Sequence, residues 1–174
     1  QHAVHWSTDP GEEAWVNEGM SEMAEDLVTG RISSISHFLI NSDVQLNYWP
    51  ANIEMTGPHY GASALFFTYL AKRFEGNETL RNLVSEPTDG IAGIDVYVSR
   101  HGLSFEDVFA DWIIANYLDA LDDRYGYPDM FVRVRDQVYV TDYGVREEHL
   151  PQYSARYIEL RLPEGAARLN FVGD

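Results

Sequence analysis

The sequence predicts an α+β chain with its helices first and its strands last. Three observations predict it. Apolar residues recur at helical spacing through residues 1–128, glycines and a capping pair punctuate the helical runs, and alternation at period two takes over in residues 129–174. The 174 residues suffice for one sizeable core, and a hydrophobic content of 45% marks the chain as globular rather than disordered.

Residues 12–28 are expected to form a helix, with Trp15, Val16, Met20, Met23 and Leu27 at helical spacing and Gly30 as the stop. Residues 33–40 suit a short helix. Residues 41–57 read as a loop punctuated by Pro50 and Gly57, whose Tyr48-Trp49-Pro50 run suits either packing or the lining of a cleft. A helix over 58–74 presents Leu65, Phe66, Tyr69, Leu70 and Phe74. Shorter helices follow over 77–84 and 88–101, the latter stopped by Gly102. Ser104 and Asp107 have the spacing of a capping box, which opens a helix carrying Phe105, Val108, Phe109, Trp112, Ile113, Asn116 and Tyr117 and ending near Leu121. Strands are expected at 132–135, 138–140, 157–162 and 169–172, with a turn at Pro163-Glu164-Gly165. The last strand runs into Asp174 with nothing after it to pair with, so the chain is expected to be cut there.

The formal net charge is −16, from 28 acidic and 12 basic residues, and Lys72 is the single lysine. Such a surface repels nucleic-acid phosphates and anionic membranes, which argues against both as partners. Most of these carboxylates read as a solvated surface. Cysteine is absent, which excludes disulfides, cysteine nucleophiles and thiolate metal sites. No apolar run reaches the roughly 18 residues of a membrane span.

The chemically specific stretch is Asn17-Glu18-x-x-Ser21-Glu22, with His2 ahead of it. Residues four apart share one helix face, so Glu18 and Glu22 present their carboxylates together. A hydrolytic zinc site needs three protein ligands and one open position for water. A helical His-Glu-x-x-His supplies two ligands and a general base, and a second helix can supply a glutamate, with a further carboxylate behind a ligand histidine. On this pattern His2 is the second histidine, Glu18 the third ligand, Glu22 the carboxylate behind and Asn17 a brace. The first histidine and the base glutamate are expected ahead of Gln1, so the chain is expected to begin within the catalytic helix and to be inactive alone.

Asn17-Glu18-Gly19-Met20-Ser21-Glu22 resembles the Asn-Glu-x-x-Ser-Asp/Glu motif of thermolysin-type gluzincins. Gln1-His2-Ala3-Val4-His5-Trp6, the Glu12 to Gly19 run, and the His59-Tyr60-Gly61-Ala62-Ser63 helix start resemble secreted bacterial metallopeptidases of the immune inhibitor A type. So does Gln152-Tyr153-x-x-Arg156-Tyr157-Ile158-Glu159-Leu160, which is similar to a β-sandwich that follows such domains. Glu22 departs from the commoner Asp by one methylene. The resemblance implies that residues 1–128 are the helical part of a zincin catalytic domain and that 129–174 open an antiparallel, sandwich-like domain. It implies a zinc cofactor, hydrolysis of protein or peptide substrates, and a monomer secreted or held at a bacterial cell surface. It also implies an oxyanion donor, for which Tyr60 and His59 are the candidates.

Plainer readings compete with these. His2 can be a surface histidine, and His5 either a rival ligand or a packing residue beside Trp6. Glu22 can lie on a solvated face with Glu25 and Asp26, and His59 and Tyr60 can serve only capping and packing. His37, His101 and His149 have no partner at motif spacing and read as structural. Asp119, Asp122, Asp123 and Asp129 offer oxygens of the kind calcium takes, without the spacing of an EF-hand. A catalytically inactive binding or surface-layer module is the alternative function, decided by whether His-Glu is encoded ahead of Gln1. A glycosidase pair is a third reading, disfavoured by the helical period around Glu18.

Overall fold

The computed structural model describes residues 3, 7, 9–122, 124–162, 168–170 and 172, and from Ala14 onward the described residues form six α-helices and then two strands. The helices are α1 (Ala14–Thr29), α2 (Ile35–Ile40), α3 (Thr56–Arg73), α4 (Asn77–Val84), α5 (Gly90–Ser99) and α6 (Phe105–Leu118), with a 3₁₀ turn at Ile53–Met55. All six lie where the apolar periodicity and stop signals place them. Gly30 closes α1 in the left-handed region, at φ 68°. The capping box of α6 is complete: the Asp107 N–H donates to Ser104 Oγ at 3.1 Å, and the Ser104 N–H donates to Asp107 Oδ2 at 2.9 Å. That helix stops at Leu118, short of Leu121, because Asp119 turns to φ 46° and its carboxylate accepts from the Val132 N–H at 3.2 Å.

The helix α3 is the axis of the core. Every residue from Gly61 to Ala71 is buried, so the helix is enclosed on all sides rather than on one apolar face. Its aromatic residues meet those of its neighbours: Phe67 stacks on Trp15 of α1 at 5.8 Å, and Phe66 meets Trp112 of α6 edge-on at 5.4 Å. Small residues allow the close approach. A Cβ on Gly19 would lie 2.6 Å from the Phe67 ring and 2.9 Å from Ser63 Cβ, so α1 at that point packs directly on the side chains of α3 and leaves no room for one of its own. Beyond the helices' far end, Lys72 forms an ion pair with Asp129.

The strands depart from the expectation. β1 (Gln137–Val140) and β2 (Tyr157–Leu160) pair in parallel, with Gln137 opposite Tyr157 and Val140 opposite Leu160. The antiparallel expectation is corrected by the connection. Residues 141–156 are long enough for a crossover, and they return over the helical body instead of turning back as a hairpin. Arg156 pairs with Asp43 at 2.7 Å, the Leu46 N–H donates to the Tyr153 carbonyl at 2.9 Å, and the Tyr153 ring packs edge-on against Phe105 at 5.2 Å. The expected strand at 132–135 keeps its alternation but has no strand partner among the described residues. Val132 and Val134 point inward, and the Val134 and Arg135 N–H groups donate to the carbonyls of Asn116 and Leu39. Leu169, Asn170 and Val172 are not in a strand, while the Pro163-Glu164-Gly165 turn and Phe171 lie outside the described residues. The whole is mixed, mostly helical, with a small two-stranded sheet. No helix among the described residues is long and apolar enough to cross a membrane.

Candidate functional site

The α1–α3 crossing determines what Glu18 and Glu22 can reach. Glu18 precedes Gly19, where α1 packs on the Phe67 and Ser63 side chains of α3, and Glu22 lies one turn further along the same face as Glu18. Both side chains are half-buried. From the second turn of α3, the Tyr60 phenol lies beside the Glu18 carboxylate. Burial, followed by the negative charge of Glu18 and of Glu22, pushes the Tyr60 phenol up to about 12. The phenol is therefore a neutral hydrogen-bond donor across the physiological range. Trp49, from the preceding loop, meets the Tyr60 ring edge-on at 4.7 Å and fixes its orientation.

Glu22 is held as well. Ser34 Oγ donates to Glu22 Oε2 at 2.5 Å. Asn17 donates through Nδ2 to the Glu12 carbonyl at 3.0 Å, while its Oδ1 is buried with no donor among the described residues. His59 and Tyr60 are adjacent on α3 and share Trp49 as a neighbour, but only Tyr60 lies beside Glu18. The buried His59 ring meets Tyr48 at 5.7 Å and Trp49 at 6.4 Å, and its Nδ1 is buried with no hydrogen-bond partner among the described residues. Burial pushes its imidazole below the ordinary histidine range. His59 thus braces the 45–49 loop, and Tyr60 is the candidate that reaches Glu18.

His2, His5 and Asp123 lie outside the described residues. His101 packs on Phe74 at 4.6 Å, and His37 lies over Gly57. The acidic group near 119–129 is divided among separate partners: Asp119 caps the Val132 N–H, Asp122 accepts from the Arg124 and Tyr125 N–H groups, and Asp129 pairs with Lys72. Sequence reasoning missed Ser34, because no motif spacing links it to Glu22, and it missed Trp49 as the support of Tyr60.

Glu18 suits a zinc ligand in its chemistry: it is a half-buried carboxylate on a rigid helix, backed by a neutral phenol and a second tethered carboxylate. Among the described residues, no group of three or more His, Asp or Glu side chains is placed to hold a metal ion. The nitrogen ligand expected from His2 is outside them.

The raised Tyr60 pKa has a testable sign. An unfolded tyrosine ionises near 10. The stability tied to the protonated phenol is thus fully present below about pH 10 and is lost as pH rises through about 12. In Tyr60→Phe, the urea midpoint is expected to fall less steeply over that interval than in the parent. Equal slopes would show that Tyr60 is not held this way.

No protein-family model matches the chain, and no curated protein matches it.

Proposed function

We propose that this chain supplies Glu18 and Glu22 to a zinc-dependent endopeptidase that hydrolyses peptide bonds of extracellular proteins. The observation that supports it is the juxtaposition of Glu18, Glu22 and Tyr60 where α1 crosses α3. Two carboxylates one turn apart are common on solvated helices. Two that are half-buried, one beside a neutral phenol and the other hydrogen-bonded to a buried serine, are not explained by solvation.

Zinc, when bound, polarises a scissile carbonyl and lowers the pKa of its water. Glu18 holds it together with His2. Glu22 orients a histidine ligand, as carboxylates behind zinc histidines do. Tyr60 has one proton to donate, and it would turn that proton from Glu18 to the developing oxyanion, a role that requires the phenol to stay neutral. Calcium has no comparable support, since the aspartates near 119–129 are bound to separate protein partners.

Zinc affinity of the full-length gene product, measured by chelator competition, tests this reading. Glu18→Gln keeps the shape and removes the charge, and is expected to weaken zinc binding by about 100-fold, at or above the upper end for residues behind the ligands. Unchanged affinity would sink the proposal.

A further inference from the structure

We infer that Ser34 is the positioning residue for Glu22, an inference that rests on the peptidase reading. Ser34 occupies the N-cap position of α2, where a serine hydroxyl ordinarily accepts from a backbone N–H of the first turn. It makes no such bond. Its backbone is already helical, at φ −65° and ψ −29°, and its carbonyl accepts from the His37 N–H at 2.9 Å. The hydroxyl is turned instead toward α1, where it donates to Glu22 Oε2 at 2.5 Å.

Ser34 is itself fixed. It is 9% exposed, and its carbonyl oxygen lies 2.3 Å from where a Cβ on Gly61 would be. Gly61 follows Tyr60 on α3. One short segment therefore touches the helix that carries Tyr60 and, through its hydroxyl, the carboxylate on the helix that carries Glu18. A hydroxyl has a single proton to donate, and here the acceptor is a carboxylate. With one oxygen of Glu22 taken by Ser34, the other is left to receive the N–H of a ligand histidine. That division fixes which way the carboxylate points, which a merely solvated glutamate would not need.

A tie between two helices accounts for the same bond, so the test must separate stability from metal binding. Zinc affinity is measured by chelator competition on the full-length gene product of Ser34→Ala, Glu22→Gln, the double variant and Ser34→Thr. Urea unfolding of the metal-free proteins is measured in parallel. Ser34→Ala is expected to weaken zinc binding roughly 10-fold and Glu22→Gln roughly 10- to 100-fold, the range for groups behind metal ligands. The double variant is expected to be no weaker than Glu22→Gln alone, because both changes remove the same device. Ser34→Thr retains the hydroxyl and is expected to restore affinity. Should the added methyl prevent folding, the double-variant comparison still decides. A Ser34→Ala protein that is less stable but binds zinc as the parent does would overturn the inference while leaving the peptidase reading intact, provided Glu18→Gln weakens binding. Undiminished zinc binding by Glu18→Gln removes the reading and the inference together.

Discussion

Asp111→Ala is expected to lower the stability of the protein by about 3–5 kcal/mol, the usual cost of removing one partner of a buried ion pair. Asp111 lies on α6 and is 6% exposed. It accepts from Arg73 Nη2 at 2.9 Å and from Arg124 Nε at 3.1 Å. The two arginines are not equivalent. The Arg73 side chain is only 12% exposed, whereas that of Arg124 is 61% exposed. Arg73 also donates to the Tyr69 hydroxyl, which in turn donates to the Arg124 carbonyl at 2.7 Å. Truncating Asp111 leaves the Arg73 guanidinium buried without its carboxylate. Arg124→Ala removes a charge that water can already solvate, and costs at most about 1 kcal/mol. Urea unfolding of the two variants separates these cases. Similar losses for both would contradict the burial argument.

Gly61→Ala is expected to cost about 3 kcal/mol, at the upper end of what overpacking costs, and to disturb the candidate site with it. The obstructing atom is a backbone oxygen, Ser34 O at 2.3 Å, with Phe38 Cβ at 2.8 Å behind it. Neither is the free end of a flexible side chain. The 34–38 segment must move away from α3, which takes the Ser34 hydroxyl away from Glu22. The expected result is a lower urea midpoint together with weaker zinc binding in the full-length gene product. Gly144→Ala is the control, since nothing lies within 4 Å of the added Cβ. A Gly61→Ala protein as stable as that control would refute the close approach.

What the sequence made legible was what lies within a single element. The helices follow from local periodicity, and the α6 capping box from a spacing of three residues. Glu18 and Glu22 share a face because both belong to α1. Contacts between elements were not legible. Tyr60 reaches Glu18 only because Gly19 lets α1 close on α3, and no motif spacing encodes that crossing. Nothing in the sequence singled out Ser34, because the acceptor it uses is twelve residues away on another helix. Asp111 resembled one more surface acid in an acidic chain, although two arginines converge on it. The strands failed for the same reason. Alternation states which residues face inward, as at Val132 and Val134, but not whether the neighbouring strand runs parallel or antiparallel.

Lys72 adds a practical consequence. It is the one lysine in the sequence, its side chain is 34% exposed, and it lies in the last turn of the helix whose second turn carries Tyr60. An amine-reactive dye has no other lysine to label. Twelve helical steps separate the two positions, about 18 Å at the rise of an α-helix. A fluorophore on Lys72 therefore sits at a spectroscopic distance from the Trp49–Tyr60 pair, on a rigid rod whose other end bears the candidate chemistry. Energy transfer from tryptophan to that dye, compared between the parent and Trp49→Phe to remove the share of the other three tryptophans, reports the position of Trp49 without introducing a cysteine.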